Sequence, residues 1–72
     1  MGGEEKTVLL LGGSIDQLFA ITTAKSMGLF VVVVDMNPSS IGFRYADDYA
    51  VVSTRDIPAL LEFVRTYRKK RP

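Results

Sequence analysis

Six residues within one short stretch of this chain have types and spacings suited to holding a ligand: Gly12, Gly13, Ser14, Gln17, Asp35 and Asn37. Gly12-Gly13-Ser14 follows an apolar run, Thr7 to Leu11, and precedes a helical pattern that ends at Met27-Gly28. Backbone amides at a helix start bind phosphate or carboxylate, and glycine lets a ligand come close. The competing reading of a bare Gly-Gly-Ser is a tight strand-to-helix turn with no ligand. The full dinucleotide fingerprint is G-x-G-x-x-G. This chain has Gly12-Gly13-Ser14-Ile15-Asp16-Gln17, without the third glycine. The phosphate loop G-x-x-x-x-G-K-[ST] is also missing.

Asp35 stands 23 positions after Gly12, at the tip of a second apolar run, Leu29 to Val34. An acid about 20 residues past such a turn holds ribose hydroxyls in dinucleotide-binding folds. Alternatively, its carboxylate caps the Asn37-Pro38-Ser39-Ser40 turn. Gln17 has two readings as well: a capping-box partner of Ser14, or an amide turned outward to a ligand. Asp47 and Asp48 are adjacent carboxylates. Neighbours on a strand point to opposite faces, so they are expected at a loop-to-strand corner and not as a shared acid–base pair.

The composition narrows the chemistry. The 72 residues contain no cysteine and no histidine. His/Cys metal sites, thiol nucleophiles and histidine acid–base catalysis are therefore excluded. The lack of cysteine fits a reducing compartment. Net charge is +1, so no global field attracts nucleic acid. Five of the nine basic residues are Arg65, Arg68, Lys69, Lys70 and Arg71. No aromatics are interleaved for nucleic-acid stacking, and the cluster reads as a solvated helix end. The longest apolar run, Leu29 to Val34, is far short of the roughly 18 residues of a membrane span. Met1 to Lys6 is acidic and polar, unlike a secretory signal, and reads as a disordered tail over 1–6, ahead of a single domain over 7–70. The expected location is cytoplasmic. A chain of this size buries only roughly 60% of its unfolded surface, which predicts marginal stability.

These residues need a scaffold, and the apolar pattern predicts one. Strand one spans Thr7 to Leu11, with four aliphatics in succession that suggest burial on both faces. A helix starts at Ser14 and buries Ile15, Leu18, Phe19, Thr22 and Met27, with Gly28 as a left-handed C-cap. Strand two spans Leu29 to Val34 and strand three Tyr49 to Ser53. Between them Ile41, Phe43 and Tyr45 are expected to anchor a long loop. A second helix follows Asp56 as N-cap, with a stripe of Ile57, Leu60, Leu61, Val64 and Tyr67. Right-handed crossovers then give an α/β fold: a three-stranded parallel sheet of order 3-2-1, one helix on each face, a truncated Rossmann-like unit. Strand one is left as an open edge.

Four segments, taken in order, resemble the N-terminal domain of ATP-grasp ligases, nearest to carbamoyl-phosphate-synthase-like members. They are Leu10-Leu-Gly-Gly-Ser14 followed by Gln17, Ala24-Lys25-Ser-Met-Gly28, Val33-Val-Asp-Met-Asn-Pro38, and Tyr45-Ala-Asp-Asp-Tyr49 leading to Ser53-Thr-Arg-Asp56. More distant similarity is to purine-pathway carboxylating and formyl-transferring ligases and to biotin carboxylase. The resemblance implies a parent enzyme that joins a carboxylate to an amine through an acyl phosphate. It implies ATP and magnesium held by two later domains, with no cofactor in this chain. It implies that the N-terminal domain is inactive alone and supplies part of the acceptor-substrate pocket, here Gly12, Gly13, Ser14, Gln17, Asp35 and Asn37. No catalytic or metal-binding residue is implied. The family's fourth strand would begin where this chain stops, at Arg71-Pro72. Members that bind phosphorylated substrates have an extra glycine or an acidic residue in the first turn, where this chain has Ser14-Ile15-Asp16. The acceptor thus stays open. Two other expectations compete. One is half of a Rossmann domain that binds NAD through Gly12 to Ser14 and Asp35. The other is a self-associating module that forms a homodimer through the strand-one edge.

Overall fold

A computed structural model describes residues 6–70. It contains β1 (Thr7–Leu11), α1 (Leu18–Ser26), β2 (Phe30–Asp35), β3 (Asp48–Val51) and α2 (Ile57–Lys70). Two short 3-10 turns, Ile15–Gln17 and Ile41–Arg44, precede α1 and β3. All three strands run parallel with β2 central, as the apolar pattern predicts. The tail expected over 1–6 lies outside the described residues apart from Lys6, whose carbonyl accepts the Phe30 amide at 2.8 Å.

The core is the valine run. Val31, Val32, Val33 and Val34 are all at most 1% exposed. Successive strand residues face opposite sides, so a run this apolar requires cover on both. α1 supplies one side: Ile21 and Ala24 cluster with Val31 and Val33, with Leu10, Leu18, Leu29, Phe43 and Ala46 around them. α2 supplies the other, where Phe63, Val64 and Tyr67 approach Thr7, Leu9 and Val32. The two helices thus lie on opposite faces. β1 is only half-buried, with Leu11 48% exposed, in contrast to the double burial expected of it. The sheet ends at β1, and nothing among the described residues pairs with its outer edge.

The buried face of α1 differs from the expected one. Ile15, Phe19 and Met27 are 69%, 81% and 70% exposed, and Thr22 is exposed too. The inward residues are Leu18, Ile21 and Ala24. The cause is the 3-10 turn at Ile15–Gln17, which has about 3.0 residues per turn and so shifts the phase of everything after it. α2 likewise buries Leu60, Phe63, Val64 and Tyr67 by half, while Ile57 and Leu61 are more than half exposed. In the long loop only Phe43 anchors as expected, stacked on Tyr49 at 4.3 Å, whereas Ile41 and Tyr45 are exposed.

The helix ends follow their local chemistry. Asp56 Oδ1 accepts the Ala59 amide at 3.1 Å, the N-cap bond that its position predicts. At the end of α1, Gly28 has φ +82°. Its amide donates to the Lys25 carbonyl and that of Leu29 to the Ala24 carbonyl, which together form a Schellman motif. Gly28→Val is expected to cost at least about 1 kcal/mol, because a branched Cβ is strained at positive φ. A urea midpoint equal to wild type would show that the backbone there is not left-handed.

The adjacent aspartates act as clamps. Asp47 accepts the Val31 amide at 2.8 Å and pairs with Lys25 of α1. Asp48 accepts the Tyr67 hydroxyl of α2 at 2.8 Å. Pointing to opposite faces, they hold one helix each.

Candidate functional site

The C-terminal ends of β1 and β2 bring all six candidate residues to one rim. Hydrogen bonds tie the two strand tips together. The Gly12 amide donates to the Val34 carbonyl at 2.6 Å. The Gly13 amide donates to Asp35 Oδ2 at 2.8 Å, and the Asn37 amide donates to Asp35 Oδ1 at 3.1 Å. Asp35 is thus both the acid beside the glycine turn and the cap of the following turn. Asn37 shapes that second turn: its Oδ1 accepts the Ser39 amide at 2.9 Å and its carbonyl the Ser40 amide at 3.0 Å.

Ser14 and Gln17 do not form the capping box. The Ser14 hydroxyl makes no cap bond, and the Gln17 Nε2 donates to the Leu11 carbonyl at 3.2 Å. The turn is too tight for reciprocal capping, because Gln17 already donates its amide to the Ser14 carbonyl at 2.8 Å. No hydrogen bond among the described residues uses the amides of Ser14, Ile15 or Asp16. Such orphan donors open a helical segment and attract an anionic group.

The two glycines differ. Gly12 has φ +98°, and a Cβ placed on it would meet nothing within 4 Å. It borders open space. Gly13 is buried, and a Cβ there would come within 2.6 Å of Ser40 Oγ and 2.8 Å of Val33 Cγ1. Gly42 is packed against it, and its amide donates to the Gly13 carbonyl at 2.7 Å. Gly13 is small for the sake of this loop, whereas Gly12 is glycine for its left-handed backbone and faces open space. Ser40 and Gly42 therefore belong to the site, though spacing did not mark them. A glycine between Ile41 and Phe43 was the available signal. A groove lined by Pro38, Ser39, Ser40, Phe43, Arg44 and Tyr49 continues from the rim.

Charge at the rim is set by Asp35. The Gly13 amide, then that of Asn37, hold its carboxyl below the ordinary 3.8; partial burial opposes them, and Ser40 and Met36 add smaller lowering effects. A carboxylate with a depressed folded pKa stabilises fully above its unfolded value and loses that contribution as pH falls through the folded one. The stability difference between wild type and Asp35→Asn is therefore expected to be constant near neutrality and to shrink below pH 3.8. Urea unfolding at successive pH values measures it, and a difference that grows on acidification would contradict the assignment. Among the described residues no three carboxylates gather as a metal site, and no helix is long and apolar enough to cross a membrane.

No family model matches the chain. Over 60 residues it is 32% identical to the 3-methyl-D-ornithine–L-lysine ligase of Methanosarcina mazei. The match covers 83% of this chain and 16% of that enzyme, so the chain spans about a sixth of the curated relative's length. Most of the chain is thus similar to one part of a ligase.

Proposed function

We propose that this chain is the N-terminal domain of an ATP-grasp carboxylate–amine ligase, that it contributes part of the acceptor-substrate site, and that it is inactive alone. The observation that carries this reading is the rim itself. Three unpaired amides at Ser14, Ile15 and Asp16 lie next to the Asp35 carboxylate, within a stretch similar to part of an amino-acid ligase. Donors beside a fixed negative charge suit a zwitterion, with its carboxylate on the amides and its ammonium toward Asp35. The acceptor class is then an amino acid. Gly12 gives access, Gln17 and Asn37 hold the two turns, and Gly13 docks the loop. In this reading ATP and magnesium are bound by other parts of the parent enzyme.

Amide-shift titration of the 72-residue chain with L-lysine, and separately with NAD, tests the reading. The expected result is weak saturable shifts at Gly12 to Gln17, Asp35 and Asn37 with lysine, and no ATP hydrolysis. Saturable NAD binding at the same residues, with none for lysine, would replace it with a nucleotide-binding domain.

A further inference from the structure

The outward face of α1 has the composition of an interior surface. Ile15, Phe19 and Met27 are each more than two thirds exposed. Phe19, Thr23 and Met27 follow one another at intervals of four, and Ile15, in the 3-10 turn ahead of the helix, stands one interval earlier. Residues four apart form a ridge along a helix surface. Beside this ridge lie small side chains, Ala20, Thr22 and Ser26. A helix that is apolar on all sides is normally buried on all sides. Here the sheet buries Ile21 and Ala24, and nothing among the described residues covers the opposite ridge.

Charge and symmetry identify the partner. Between Ile15 and Met27 the charged side chains are Asp16 and Lys25, and Lys25 is already paired with Asp47. The ridge itself carries no charge for an acidic or basic partner to meet. The exposed apolar residues of the other helix, Ile57 and Leu61, share α2 with Arg65, Arg68, Lys69 and Lys70, so two copies facing each other there would repel. The ridge on α1 is also symmetric about position 21. A second copy laid antiparallel across it sets Phe19 opposite Thr23 of that copy and Ile15 opposite its Met27, and the reverse, as a two-fold contact requires. From the uncharged ridge and its symmetry, we infer that α1 is a self-association surface through which two copies of the chain pair. Two such faces bury on the order of 1,000 Å² in total, the weak end of specific interfaces. This contact is separate from the open edge of β1, where pairing would join two sheets.

Sedimentation of the 72-residue chain over a dilution series, with amide shifts followed over the same series, tests this contact. A monomer–dimer equilibrium is expected, half complete between about 0.1 and 1 mM and monomeric well below that range. Dilution should move the amides of Ile15, Phe19, Thr23 and Met27, and leave those of Thr7 to Leu11 and of α2 in place. Phe19→Asp should weaken association at least about tenfold, because a carboxylate then meets an apolar face. Leu61→Gln, on the exposed side of α2, should leave it unchanged. Both positions are more than half exposed, and far-ultraviolet circular dichroism confirms that each variant is folded. Association should also be the same in low and high salt, since no charge pair holds it. Three results would each overturn the surface: a monomer at millimolar concentration, a dimer that Phe19→Asp leaves intact, or dilution shifts along β1 or α2 in place of α1. The last would move the contact to the sheet edge or to the basic helix.

Discussion

Ile21→Ala is expected to remove a large part of the stability of this fold. Ile21 is 0% exposed and belongs to the buried cluster with Ala24, Val31 and Val33. Truncation of a buried isoleucine to alanine costs about 2–5 kcal/mol, from lost transfer energy plus the cavity left behind. A domain of this length has a total of roughly 4–11 kcal/mol to lose. Ile21→Val, which deletes a single methyl group, should cost about 0.5–1.5 kcal/mol. The instructive comparison is Phe19→Ala. Phenylalanine is the larger side chain, yet Phe19 is 81% exposed, so its loss should change stability by less than about 0.5 kcal/mol. Urea midpoints of the three variants decide the rotation of α1. If Phe19→Ala proves more damaging than Ile21→Ala, the helix presents the opposite face to the sheet.

Gly42→Ala is expected to be the most damaging small substitution at the rim. A Cβ there would stand 2.7 Å from both the Cα and the carbonyl oxygen of Gly13. Both are backbone atoms, so no side chain can swing aside to make room. The two segments must separate, at an overpacking cost of about 1–3 kcal/mol. The bond from the Gly42 amide to the Gly13 carbonyl is lost as well, worth about 0.5–1.5 kcal/mol. Movement of Gly13 also loosens its bond to Asp35, so the Asp35 carboxyl should titrate closer to its ordinary value. A urea midpoint together with carboxyl titration by NMR reads both effects. A variant with wild-type stability and an unchanged Asp35 titration would show that the loop does not rest on the glycine turn.

What was legible in the sequence follows from local chemistry. Four consecutive valines point to a central strand covered on both faces, because such side chains reach both sides of a sheet; the aliphatic run of β1 carries the same pattern, yet as an edge strand it is only half-buried. Gly28 and Asp56 mark helix ends through atoms of their own residues or of residues within one turn. The alternation of side chains along a strand is enough to send Asp47 and Asp48 apart. The nearness of Gly13 to Asp35 follows from two adjacent parallel strands that end at the same level. All of these depend on contacts between near neighbours or on the period of one element.

Tertiary structure decided the rest. The phase of α1 was ambiguous because Leu18, Phe19, Ala20 and Ile21 are all apolar, and the 3-10 turn before them chose Ile21. The partnership of Gly13 with Gly42 joins positions 29 residues apart and leaves no periodic trace. Whether Gly13 is small to admit a ligand or to admit a loop is a question of which atoms occupy the space beside it. Residue type does not encode that occupancy; it arises only when distant segments fold onto the same few ångströms.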